Sequence, residues 1–229
     1  MSVLGILGAG RVGMALARLA RNADLEVLIA GSGDPASLAD GIAAESPGAV
    51  AVTAEEAARS AYIVILAIPL GKYRTLPATA LAGKLVIDAM NYWWELDGVR
   101  PEFSDPQTST SETLQKFLVD SRLAKTFNHA SVWELENLAR PAGHPERRAL
   151  AVAADQQEDM AQASHLVDAM GFDPVPAGPL ANGVMLEPGA EAFGADASAA
   201  EMRTMLNRFW TSQRGLVVAR NRDMPPAGC

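Results

Sequence analysis

Cysteine is almost missing from this chain of 229 residues: there is one, Cys229, at the last position. No internal disulfide can form, so the expected setting is a reducing cytoplasm. Positive charge is also scarce, with 19 Lys and Arg against 27 Asp and Glu and a formal net charge of -8. That balance argues against nucleic-acid or anionic-membrane partners, while leaving room for a local basic pocket. No apolar run reaches the ~18 residues of a membrane span. The N-terminus enters a strand directly, without a basic leader or cleavable apolar segment. Internal repeats and heptads are lacking. So are His/Cys/Asp clusters at metal-ligand spacing, and any Ser-His-Asp or paired-carboxylate arrangement that belongs to one site, so no metal is expected.

What is present is a packed α/β composition, 49% apolar and 20% charged, organised around Gly8-Ala9-Gly10-Arg11-Val12-Gly13. The apolar run 3–7 precedes this turn, and Val12, Leu16 and Leu19 follow at helical spacing, giving strand, turn and helix. Gly8 permits the bend, Gly10 lets main chain approach a phosphate, and Gly13 lets the helix lie close to the strand. The helix N-terminus then offers free N–H groups to an anion. The expectation is a dinucleotide-binding turn.

Residues 25–30 read as a second strand and 31–35 as the loop that ends it. An acid at that strand end would select NAD through the ribose 2′-hydroxyl. Here the tip carries Gly31 and Ser32, with the first acid at Asp34, which favours NADP. No Lys or Arg follows in the loop; Arg11 either reaches the adenosine phosphate or is a solvated helix residue.

A short strand at 49–52 leads to a helix capped by Thr53. The run 62–68 is a strand covered on both faces, stopped by Pro69. Ile68, Pro69 and Leu70 are therefore expected along the nicotinamide half of the crevice, beyond the strand ends. Lys72 and Arg74 follow, near the cleft or simply solvated. The strand 84–88 delivers Asn91-Tyr92-Trp93-Trp94 to the same rim, where the tryptophans fill an interface or wall a planar acceptor.

Ser109-Thr110-Ser111-Glu112 is a capping box. A strand over 124–127 ends in Asn128 and His129, and His129 is either a structural hydrogen bonder or a proton donor. A strand at 149–154, a helix at 157–170 ended by Gly171 and an extended segment at 173–176 follow. The stripe Met202, Met205, Leu206, Phe209 and Trp210 is a core or dimer face. The Ala-rich stretch 195–200 is expected to lack rigid structure. The fold class is a Rossmann-type doubly wound, mostly parallel sheet with a small C-terminal helical extension. The division is a dinucleotide-binding domain at 1–154 and an α/β extension at 155–229.

The chain resembles the NADP oxidoreductases that work with the deazaflavin coenzyme F-420. The resemblance rests on the glycine turn 8–13, Ala30-Gly31-Ser32, Ala67-Ile68-Pro69, Lys125-Thr126-Phe127-Asn128 and Ala177-Gly178-Pro179-Leu180-Ala181-Asn182, in that order. It implies that residues 8–13 cradle pyrophosphate, that Ser32 meets the 2′-phosphate and that Ile68 and Pro69 border the nicotinamide. It further implies that Asn128 and His129 sit where the deazaflavin is held. Gly33 departs from the family, standing where relatives carry a basic residue, and the aromatic loop 91–94 is bulkier than expected.

The implied activity is hydride transfer between NADP(H) and a deazaflavin or flavin-like acceptor, by ring stacking at near-attack distance in a dry site. Asn91 belongs to the candidate cofactor set. Two alternatives stand beside it: an NADP-binding sensor without turnover, and a reductase of a small imine or hydroxy acid. The latter normally needs a larger helical domain than 229 residues leave room for. A homodimer is expected.

Overall fold

The computed structural model describes residues 3–105 and 107–221; Cys229 lies outside them. Eight strands form one sheet: β1 (Val3–Leu7), β2 (Glu26–Ala30), β3 (Ala49–Ala51), β4 (Ile63–Leu66), β5 (Leu85–Asp88), β6 (Arg122–Lys125), β7 (Ala149–Ala154) and β8 (Asp173–Gly178). Their order is β3-β2-β1-β4-β5-β6-β7-β8. Every pairing is parallel except β6 with β7. The chain reverses direction between β3 and β4, on either side of β1. In a sheet of this kind that switch point opens the ligand crevice.

The described residues form ten helices: α1 (Arg11–Asn22), α2 (Pro35–Glu45), α3 (Ala54–Ser60), α4 (Ala78–Leu81), α5 (Trp94–Asp97), α6 (Thr110–Phe117), α7 (Val132–Asn137), α8 (Gln157–Ala169), α9 (Ala199–Phe209) and α10 (Gln213–Asn221). The central strands are apolar on both faces because both faces are covered. Ile6, Ile65 and Ile87 enter one core with α1, α7 and α8. Their neighbours Leu7, Leu66 and Val86 enter another with α3, α4 and α6. A third core joins β7 and β8 to α9 and α10.

This is the expected fold class, with several local differences. The strand expected over 62–68 stops at Leu66, so Ala67, Ile68 and Pro69 form a turn into the 3-10 segment Leu70–Thr75. The strand expected over 124–127 lies two residues earlier, and Phe127 adopts a φ of 65°. Residues 195–200 are not a loose stretch. Ser198 caps α9 in a capping box with Glu201, and Ala197 is buried. The stripe on α9 is core, since Met202, Leu206 and Phe209 pack against β7 and β8.

Candidate functional site

The three glycines of the first turn have separate roles. Gly8 has a φ of 124°, and a Cβ there would lie 2.3 Å from the Ala67 carbonyl oxygen. Its N–H donates to the carbonyl of Ala30 at 2.8 Å, which ties the turn to β2. A Cβ on Gly13 would lie 1.7 Å from the Gly8 oxygen, so only glycine lets α1 start this close to the turn. Gly10 is different: it is extended, caps α1 without a side-chain bond, and has nothing within 4 Å of where a Cβ would be. The space around it is open, at the start of a 12-residue helix whose first N–H groups have no intrahelical acceptor. A helix end of this kind offers both donors and partial positive charge to an anionic group.

Two cavities meet over that point, sharing Gly10, Ala67, Ile68 and Pro69. The first, about 450 Å³, runs past Gly8, Ala9, Ser32, Lys72 and Thr75 toward Leu76 and Pro77. The second, about 370 Å³, runs past Arg11 and Val12 to Met90, Asn91, Trp93 and Leu96. The turn, Ser32, Ile68, Pro69 and Asn91 are thus gathered along one crevice. Arg11 lines the second cavity rather than the first. Leu70 does not reach the rim; it is fully buried, because the 3-10 turn rolls it inward against the core.

Asn128 and His129 line neither of the two cavities, and both are buried. The Asn128 amide donates to Asn91 Oδ1 at 3.0 Å and to the Leu186 carbonyl at 2.6 Å. Asn91 in turn donates to the Asn128 carbonyl at 2.6 Å. His129 Nε2 accepts from the Ala151 N–H at 3.0 Å, which assigns the proton to Nδ1, 3.4 Å from Asn128 Oδ1. Burial, and then the charge of Lys125, push its pKa down from 6.5 to about 3. At neutral pH this imidazole is uncharged with both nitrogens engaged.

The loop after β5 is held by a buried ion pair that sequence reasoning missed. Lys125 Nζ lies 3.1 Å from Asp88 Oδ2, and neither side chain is exposed. Asp88 Oδ1 accepts from the Met90 N–H at 3.0 Å, while Lys125 donates to the Met90 carbonyl at 3.2 Å. Ser111 donates to the same carboxylate and Thr110 accepts from the ammonium. Thr110 then donates to Glu187, whose second oxygen meets Arg214. The available signal was two opposite charges inside apolar strands, at residues that prove to be register partners. Farther out, Asp97 accepts from Gly71 N–H at 2.8 Å and Trp93 N–H at 2.9 Å, pinning the aromatic loop to the turn after β4. Trp93 meets Phe193 edge-on at 6.0 Å.

Residues 3–92 match the family model described as NADP oxidoreductase, coenzyme F420-dependent. No curated protein sequence matches the chain. Among solved structures, the hypothetical protein SMa0349 from Sinorhizobium meliloti is similar with a TM-score of 0.74 and 25% identity, over 85% of this chain and 94% of that one. An Arthrobacter protein assigned by name to the F420-dependent NADP reductases gives 0.68 at 20% identity, over 91% and 93%. The 3-hydroxyisobutyrate dehydrogenase of Mycobacterium tuberculosis gives 0.58 at 17% identity, over 80% of this chain but 57% of that one. At such identities the last two show a shared fold.

Proposed function

We propose, from the match of residues 3–92 to the family model of F420-dependent NADP oxidoreductases, that this chain transfers a hydride between NADP(H) and a deazaflavin or flavin-like acceptor. The observation that carries the reading is the open space over Gly10, where two cavities join at a helix N-terminus. That geometry fits a dinucleotide: an adenosine half in the cavity of Ser32, pyrophosphate over Gly10, and a nicotinamide half beside Pro69 and Asn91. The bound nicotinamide supplies the two-electron chemistry. The chain itself supplies alignment and exclusion of water. Ile68 and Pro69 back the ring, the Asn91–Asn128 amide pair fixes the rim, and Trp93 walls the side on which a planar acceptor stacks.

The second cavity is lined by two ionisable groups, Arg11 and Asp97, and Asp97 is committed to two main-chain N–H groups. Positioning rather than acid–base catalysis therefore does the work in this reading. The same observation favours the second reading, a nucleotide-responsive sensor. The hydroxy acid reading has less support, because the chain spans little more than half of that dehydrogenase.

Among the described residues no helix is long and apolar enough to cross a membrane. The working assignment is a cytoplasmic protein acting on small molecules as a homodimer; the exposed Trp94, Leu96 and Val99 on one stretch support the dimer, and light scattering tests it. The deciding experiment follows NADPH absorbance on adding deazaflavin or flavin acceptors. Acceptor-dependent oxidation supports the enzyme; tight NADPH binding with no turnover across the panel supports the sensor.

A further inference from the structure

We propose that Lys72 is the residue that selects NADP over NAD, meeting the 2′-phosphate in the cavity it lines together with Ser32. This rests on the dinucleotide reading of the crevice. The end of β2, where nucleotide folds usually choose between the two cofactors, carries no charge here: Ala30 is followed by Gly31, Ser32 and Gly33. The acid that comes next does not line the first cavity. Asp34 caps α2, its carboxylate accepting from the Ala36 N–H, with Pro35 at the first helical position. Nothing in that cavity is built to accept a hydrogen bond from a bare 2′-hydroxyl through a carboxylate.

Among the sixteen residues that line the first cavity, one side chain is ionisable, and it is Lys72. Arg11, the other cation of the crevice, stands along the second cavity. Lys72 is fixed at its base: its N–H donates to the Pro69 carbonyl at 2.9 Å, and its carbonyl accepts from Thr75 Oγ1 at 2.8 Å. Its ammonium makes no hydrogen bond or ion pair among the described residues. The contrast is with Lys84, which donates to two carbonyls, and Lys125, which has three partners. An exposed, unpaired ammonium in the lining of a cavity that also carries a serine hydroxyl is a receptor for a dianionic group. In a chain of net charge -8, a cation at this place also offsets the repulsion an additional phosphate would meet. The cation that the β2 loop lacks is thus supplied from the turn after β4.

The test titrates the full chain with NADPH and with NADH, following nicotinamide fluorescence, for the wild type and for Lys72→Ala and Lys72→Arg. Because Lys72 is exposed, both variants should melt with the wild type. The expected result is tighter binding of NADPH than NADH by the wild type and a loss of about tenfold in NADPH affinity in Lys72→Ala. NADH affinity should be unchanged, and most of the preference should be retained in Lys72→Arg. Raising the salt concentration should erode the wild-type preference. A Lys72→Ala variant that keeps the wild-type ratio, or weakens both nucleotides alike, overturns the proposal. So does a wild type that prefers NADH, which leaves the crevice reading intact. A wild type that binds neither nucleotide overturns both.

Discussion

Asp88 and Lys125 occupy the same register position of neighbouring parallel strands, and their charged ends meet 3.1 Å apart with both side chains sealed from solvent. Lys125→Met removes the cation and leaves a buried carboxylate with only neutral donors, a change that costs about 3–5 kcal/mol in comparable buried pairs. Denaturant unfolding measures it. The double change Asp88→Asn with Lys125→Met removes both charges and should recover part of that loss. It should not restore the wild-type acceptor KM, because the Met90 carbonyl stays unanchored.

Gly10 and Gly13 separate function from fold. Gly10→Ala places a methyl group in open space on a backbone that any residue adopts, so the melting temperature should stay within the change expected of a neutral surface substitution. Nucleotide affinity should nevertheless fall by about tenfold or more, since that methyl occupies the phosphate cradle. Gly13→Ala should instead lower stability, because its methyl meets the Gly8 carbonyl. Parallel melting and NADPH titration distinguish the two.

His129 sets a pH dependence. In the native state its pKa is about 3, whereas in the unfolded chain it returns to about 6.5. Below that value the unfolded chain binds a proton that the native chain refuses. Its contribution is therefore fully present above about pH 6.5 and is lost as pH falls toward 3, with a slope of at most about 1.4 kcal/mol per pH unit. His129→Gln should show a shallower loss over this window. The pH profile of NADPH oxidation should carry no step near 6.5 that disappears in the variant.

Trp93 borders the second cavity and its N–H is held by Asp97. Binding of NADPH should quench tryptophan emission by energy transfer to the reduced ring, and Trp93→Phe should remove most of that signal. Asp97→Ala frees the loop, so it should raise the acceptor KM while leaving the dissociation constant of NADPH, measured without acceptor, within about twofold.

Much of this architecture is legible in the sequence because its signals are local. The turn at 8–13, the capping box of Ser109 and the strand at 149–154 each carry their own pattern of glycines, hydroxyls or unbroken apolar residues. Two helices went unread although their caps were present: Asp34-Pro35 opens α2, and Ser131 with Glu134 forms the capping box of α7. The polar network was illegible for a physical reason. Asp88 and Lys125 are 37 residues apart and Thr110 and Glu187 are 77 apart, so only the folded sheet brings them together. The place of His129 after a strand says nothing of its burial, which depends on β7: that strand runs antiparallel to β6 and its Ala151 N–H donates to His129 Nε2.

The two cavities have only Gly10, Ala67, Ile68 and Pro69 in common. Beyond that spine, the first wall continues along the end of β2 and the 3-10 segment after β4, and the second along the start of α1 and the loop after β5. Descendants of this sequence could therefore exchange one redox currency for another at the first wall while keeping the same partner molecule at the second, or the reverse. A substitution at Gly10, Ala67, Ile68 or Pro69 would be the exception, since both choices would register it at once.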